Sequence, residues 1–183
     1  MKIYSTEIDG LNVVDADPLS DHRGTFARLF CNQELADILG KRKIVQTNFS
    51  RTNKTGAVRG LHFQYPPHAE MKLIRCIKGK VWDVAVDLRA GSDSFLQYHS
   101  EELSAENMKM IVIPEGFAHG FQVLEPDSEL LYLHTALYEK NVEGAILYND
   151  PKLNITWPLP VADISARDNN HQQLNQSFLG IKL

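Results

Sequence analysis

A chain of 183 residues, 43% hydrophobic and 23% charged, can bury one compact core; it reads as a single domain over residues 1–183 rather than a disordered segment. A net charge of −4 with no basic stripe argues against a nucleic-acid partner. No apolar run suits a membrane span, the first residues lack the apolar segment of a secretory signal, and the two cysteines, Cys31 and Cys76, form no CxxC pair; together these point to a reducing cytoplasm and no zinc site.

In chain order, residues 33–39 (QELADIL) are expected to form a helix, with Asn32 as N-cap and Gly40 as its stop. Short β-rich runs follow at 44–50, 57–64, 72–77, 80–88, 109–113, 119–124, 129–135 and 145–149. Turn residues separate them, such as Lys78-Gly79, Pro114-Glu115-Gly116 and Pro126-Asp127. A second helix is expected near Ser165 and Asp168, which have the S-x-x-D spacing of a capping box. This pattern predicts an all-β antiparallel barrel or jelly roll with a few short helices.

Small barrels are either filled or hold one ligand. On AVRGLHFQ (57–64), period two places Gly60, His62 and Gln64 on one face and Arg59, Leu61 and Phe63 on the other. On ELLYLHT (129–135), Leu130, Tyr132 and His134 share a face. Polar groups recurring on strand faces are what a polar pocket inside the barrel requires.

PEGFAH (114–119) resembles the second signature of cupins, P-x-G-x-x-H. The first signature is broken, because His62 stands alone in LHF, so a cupin-type double-stranded β-helix without a catalytic metal or other cofactor is expected. His62, His119, Lys72, Tyr132 and Asp168 are types suited to moving a proton beside a carbonyl: base, enolate stabiliser, acid and orienting carboxylate. Taken singly, each is more simply explained as a structural residue.

The longer strings alter that balance. DHRGTFARLF (21–30), QTNFSRTNKTGAVRGLHFQ (46–64), KLIRCIKGKVWDVAVDLR (72–89), LSAENMKMIVIPEGFAHGF (103–121), ELLYLHT, NDPKLNITWP (149–158) and ISARD (164–168) occur in order. Together they resemble the dTDP-4-dehydrorhamnose 3,5-epimerase family. The resemblance implies a cupin-type jelly roll, a homodimer, no metal, and a nucleotide-diphosphate 4-keto-6-deoxy sugar inverted at C3, C5 or both. By position it makes His62 the base, Asp168 its partner, Lys72 the stabiliser of the enolate oxygen and Tyr132 the acid. His119 would line the sugar site, Arg23 and Arg59 would hold the diphosphate, and Phe26 and Tyr138 would sandwich the base. Gln46, Asn48, Glu143 and Arg167 would complete the nucleotide and sugar contacts.

Two departures bear on the substrate. The family's D-x-R-G-x-F-x-E, whose glutamate accepts from thymine, here reads DHRGTFAR with Arg28 in that place. Arginine carries donors only, which suits the acceptors of cytosine and suggests a CDP-sugar. After Tyr132 the chain reads LHTALY, without the lysine and second tyrosine usual there. A keto-isomerase and a non-catalytic sugar-nucleotide-binding barrel are the competing readings; the retained His62, Lys72, Tyr132 and Asp168 argue against both.

Overall fold

The computed structural model describes residues 1–183. Four short strands open the chain: β1 (Lys2–Ser5), β2 (Asn12–Asp15), β3 (Leu19–Asp21) and β4 (Gly24–Phe26). Helix α1 (Ala36–Leu39) follows, then β5 (Gln46–Thr52), β6 (Ala57–Gln64), β7 (Lys72–Lys78) and β8 (Lys80–Asp87). The remaining strands are β9 (Tyr98–Ser104), β10 (Met110–Ile113), β11 (Phe117–Val123), β12 (Ser128–His134), β13 (Glu143–Ala145) and β14 (Asp163–Ile164), before α2 (Ala166–Asn169).

The strands form two sheets, in the orders β1-β2-β10-β7-β12-β5 and β13-β6-β11-β8-β9, with β14 joined to β6. This is the all-β cupin-type sandwich that the sequence predicts. Their inner faces meet in one apolar cluster: Ile74, Ile111, Ile113 and Leu130 from the first sheet, Val81, Ala85, Phe117 and Phe121 from the second. Leu35 and Leu39 of the α1 region cover the back of the first sheet, against Val14, Leu73 and Met110. The C-terminal segment covers the back of the second, where Leu153, Trp157, Phe178 and Ile181 pack on Leu61, Phe63, Val84 and Val86.

Several local expectations need correction. The first helix is shorter than 33–39, and its N-cap position is Leu35 rather than Asn32, with no side-chain cap; Gly40 does end it, at φ 57°. The run 145–149 is largely irregular, and its strand lies earlier, at Glu143–Ala145. Strand β9 was missed because YHSEELS is polar, which its place at the edge of the sheet permits.

The most consequential correction concerns β6. Strict alternation separates Arg59 from His62, yet both line the interior cavity. The pairing with β11 explains this: His62 opposes His119 and Arg59 opposes Phe121, so three steps on β6 match two on β11. One extra residue enters at Gly60-Leu61, and the parity of the strand reverses there. Gly60 permits it, with φ 120° and its Cα against Gly120, where an added Cβ would sit 2.6 Å from the Gly120 Cα and 2.7 Å from the His119 carbonyl oxygen. Gly60→Ala should therefore cost roughly 3 kcal/mol, read as a lowered urea midpoint. An unchanged midpoint would show that the backbones can part at no cost.

Candidate active site

A cavity of about 280 Å³ opens between the sheets beside the apolar cluster, with Phe121 and Tyr132 in contact with both. His62 and His119 enter it from β6 and β11, whereas Lys72, Tyr132 and His134 enter from β7 and β12 of the facing sheet. His62 and Tyr132 thus approach the same space from opposite walls. Asn48, Ser50, Arg59, Gln64, Glu70, Tyr138 and Glu143 complete its polar lining.

The His62 ring is held from behind. Asp168, only 4% exposed, sits in the first turn of α2, and its Oδ1 lies 2.9 Å from His62 Nε2. Its Oδ2 accepts the Gly60 N–H at 3.2 Å. Burial pushes the Asp168 carboxyl up, but the His62 hydrogen bond and charge, the Gly60 N–H and nearby His171 outweigh it and leave the group at about 2. An ionised carboxylate only accepts, so Nε2 of His62 must donate, and in the neutral ring it is Nδ1 that carries the lone pair. The capping box expected at Ser165 is half formed. Ser165 Oγ accepts the Asp168 N–H at 3.0 Å, while the Asp168 carboxylate is turned to His62 instead of closing the box.

This depression carries a stability consequence with a definite sign. The folded state holds Asp168 at about 2 against an ordinary 3.8, so its contribution is fully present above 3.8 and lost as pH falls through about 2. The shift corresponds to about 2 kcal/mol. The stability gap between wild type and Asp168→Asn in urea should accordingly narrow by about 1 kcal/mol between pH 7 and pH 3. An identical gap at both would contradict the ionised pair.

On the opposite wall, Lys72 Nζ donates to the His62 carbonyl oxygen at 3.2 Å and lies 3.3 Å from Glu70 Oε1. Glu70 Oε2 accepts from His134 Nδ1 at 2.9 Å, and His134 Nε2 in turn meets Asn48 Nδ2 at 3.3 Å. Burial raises the Glu70 carboxyl, yet His134 and Lys72 more than offset this and hold it below its ordinary value. The Lys72 ammonium is thereby anchored beside a carboxylate that stays charged. Tyr132 Oη lies 3.1 Å from Ser50 Oγ, and burial pushes the phenol well above its ordinary value, so it keeps its proton at neutral pH. His119 Nε2 meets the fully buried Asp83 Oδ2 at 2.8 Å, and its ring packs edge-on to Tyr132 at 6.1 Å.

Around the mouth, Tyr138 Oη donates to Glu143 Oε2 at 3.0 Å, Arg167 pairs with the same oxygen at 2.6 Å, and Gln46 Oε1 accepts the Tyr138 N–H at 3.0 Å. Gln46, Asn48, Arg59, Tyr138, Glu143 and Arg167 thus gather at one opening, with Gln46 and Arg167 one bond removed from the lining. Three expected residues do not join them within one chain. Arg23 and Phe26 stand on the exposed β3–β4 hairpin, where Arg23 pairs with Asp21 at 2.6 Å. Arg28 lies just beyond the hairpin and pairs with Glu34.

The sequence reading missed Glu70, Asp83, His134 and Ser50. Two signals were present: His134 shares the Leu130–Tyr132 face, and Asp83 is a carboxylate within the apolar run of β8. Ser50 and Glu70 carry no local signal; only strand pairing brings Ser50 opposite Leu130 and beside Tyr132.

No helix is long and apolar enough to cross a membrane. Residues 5–176 match the family model described as dTDP-4-dehydrorhamnose 3,5-epimerase. A dTDP-4-dehydrorhamnose 3,5-epimerase of Shigella flexneri is 40% identical over 174 residues, covering 94% of this chain and 96% of the relative. A dTDP-4-dehydrorhamnose 3-epimerase of Streptomyces niveus is 30% identical over 169 residues, 92% of this chain and 81% of that one. Among solved structures, a dTDP-6-deoxy-D-glucose-3,5-epimerase of Legionella pneumophila in complex with dTDP-4-keto-L-rhamnose superposes with a TM-score of 0.91 at 37% identity, covering 100% of this chain and 98% of that one. The chain therefore belongs to the dTDP-4-dehydrorhamnose 3,5-epimerase family, a family of carbohydrate isomerases.

Proposed function

We propose that this protein epimerises a dTDP-4-keto-6-deoxyhexose at C3 and C5 by proton abstraction beside the C4 ketone, without a metal. The observation that carries this reading is the placement of an oriented histidine and a neutral tyrosine on opposite walls of one cavity, with the Lys72 side chain lining the same space from the tyrosine's wall. His62 Nδ1 takes the proton from the carbon next to the ketone. The electrons move onto the ketone oxygen, and Lys72, anchored by Glu70, offsets the charge of the enolate. Tyr132 then gives its proton to the carbon from the other face, which inverts the centre; solvent later reprotonates Tyr132 and deprotonates His62. His119, kept in place by Asp83, lines the sugar pocket, and Arg59 meets the diphosphate. Greater identity to the 3,5-epimerase than to the 3-epimerase supports inversion at both carbons. Incubation with dTDP-4-keto-6-deoxyglucose, then borohydride reduction and sugar analysis, should yield rhamnose; recovery of only the starting configurations would overturn the assignment.

The nucleotide end points to a homodimer. Leu19 and Phe26 face each other across the β3–β4 hairpin at 73% and 74% exposure, an apolar pair with nothing over it. A second copy that took this hairpin across its own cavity mouth would bring Arg23 and Phe26 to the diphosphate and base, where the resemblance puts them. Mixing inactive His62→Ala protein with an inactive Arg23→Ala, Phe26→Ala protein should then restore activity through hybrid dimers. No recovery after subunit exchange would place each site within one chain. A cytosine carrier is the second reading, and it rests on Arg28 and its lack of an acceptor. Its pairing with Glu34 directs that guanidinium to a carboxylate of its own chain, which favours thymine. Titration of CDP and dTDP into wild type and Arg28→Glu decides between them: dTDP should bind at least as tightly as CDP.

A further inference from the structure

We propose that His62, Asp168 and His171 form an inhibitory site for a borderline transition-metal ion, typified by zinc. His171 follows α2 by one turn from Asp168, and none of the reaction steps uses it. Its Nε2 lies 3.6 Å from Asp168 Oδ1, and its ring stands edge-on to that of His62 with centroids 6.1 Å apart. That Nε2 is buried and has no hydrogen-bond partner. A buried imidazole nitrogen without a partner is costly unless something fills its valence. The donor atoms of the three residues all lie within 4.8 Å of one another. Around tetrahedral zinc with bonds of about 2.0–2.1 Å, neighbouring donors stand roughly 3.3 Å apart, so small rotamer shifts bring them to the ion. Two imidazoles and one carboxylate suit zinc, nickel or copper rather than calcium or magnesium.

The chemical consequence follows from the tautomer. In the free enzyme Nε2 of His62 carries the proton toward Asp168, and Nδ1 has the lone pair. An ion on Nε2 takes that nitrogen's lone pair and moves the imidazole proton to Nδ1, with no proton gained or lost overall. His62 then has no lone pair facing the substrate and cannot accept a proton. The fourth zinc position is left to water.

The test titrates zinc chloride into the purified protein by calorimetry, with initial rates measured in parallel; the rate arm rests on the epimerase reading, and the binding arm does not. One ion per chain should bind in the micromolar range, with inhibition over the same concentrations and recovery on adding EDTA. His171→Ala, and His171→Gln as a bulkier control, should keep the basal rate within about twofold and weaken zinc binding and inhibition by roughly 10–100-fold. His62→Ala, although inactive, should weaken zinc binding similarly. Wild type that takes up no zinc at about 100 µM, or variants that bind it as wild type does, would overturn the site. Binding with the expected variant pattern but an undiminished rate would overturn inhibition and with it the role of His62 as base.

Discussion

His62→Ala is expected to lower kcat by about 10³-fold or more while leaving nucleotide affinity within about twofold, because it removes the proposed base and little of the surface proposed to hold the nucleotide. The cavity explains the separation. His62 projects into the cavity with the buried Asp168 behind it, whereas the exposed Arg59, Tyr138 and Arg167 stand at the opening. Asp168→Asn should follow with a smaller loss, since an amide can accept from Nε2 but can also donate to it and so no longer dictates the tautomer. Steady-state rates together with dTDP titrations check both. Retention of more than about a tenth of wild-type kcat in His62→Ala would move the base elsewhere.

Tyr132→Phe should separate two events that wild type couples. The variant keeps His62, Lys72 and the enolate they generate, so the α-proton should still exchange with solvent from the His62 side. It lacks the proposed acid on the opposite wall, so inversion should fall by about 10²–10⁴-fold. Lys72→Met should instead reduce exchange and inversion together, by roughly 10²–10³-fold, because every path of the proposed mechanism crosses the enolate assigned to Lys72. Loss of the Tyr132 hydroxyl leaves Ser50 Oγ beside a cavity that water can enter, so the loss in Tyr132→Phe should be kinetic and not a failure to fold. Equal loss of exchange and inversion in Tyr132→Phe would assign that residue to enolate stabilisation.

The architecture was legible where short β-rich runs stand between turn residues. The expected strand 57–64 coincides with β6, and the face shared by Leu130, Tyr132 and His134 is the interior face of β12. It was not legible where geometry depends on a partner strand. Nothing within AVRGLHFQ reveals the extra residue at Gly60-Leu61, because the bulge arises from the approach of Gly120, 60 residues later in the sequence. The hairpin of β3 and β4 has three-residue strands too short to leave a period, so the exposed placement of Arg23 and Phe26 could not be foreseen. A carboxylate within an apolar run marks Asp83 in the sequence, but its partner His119 emerges only when β8 and β11 pair. The roles of single residues rested on long collinear strings, since a lone histidine or lysine on a strand has a structural explanation of equal merit.

The most direct measurement of the central claim is proton NMR of dTDP-4-keto-6-deoxyglucose incubated with the wild-type enzyme in deuterium oxide. Abstraction by His62 and delivery by Tyr132 through solvent-exchangeable groups predicts deuterium at both C3 and C5 of the inverted product, at rates matching inversion, and unaffected by EDTA in zinc-free protein. Inversion that retains the original hydrogens, or a rate that collapses with EDTA and returns with a divalent metal, would contradict it.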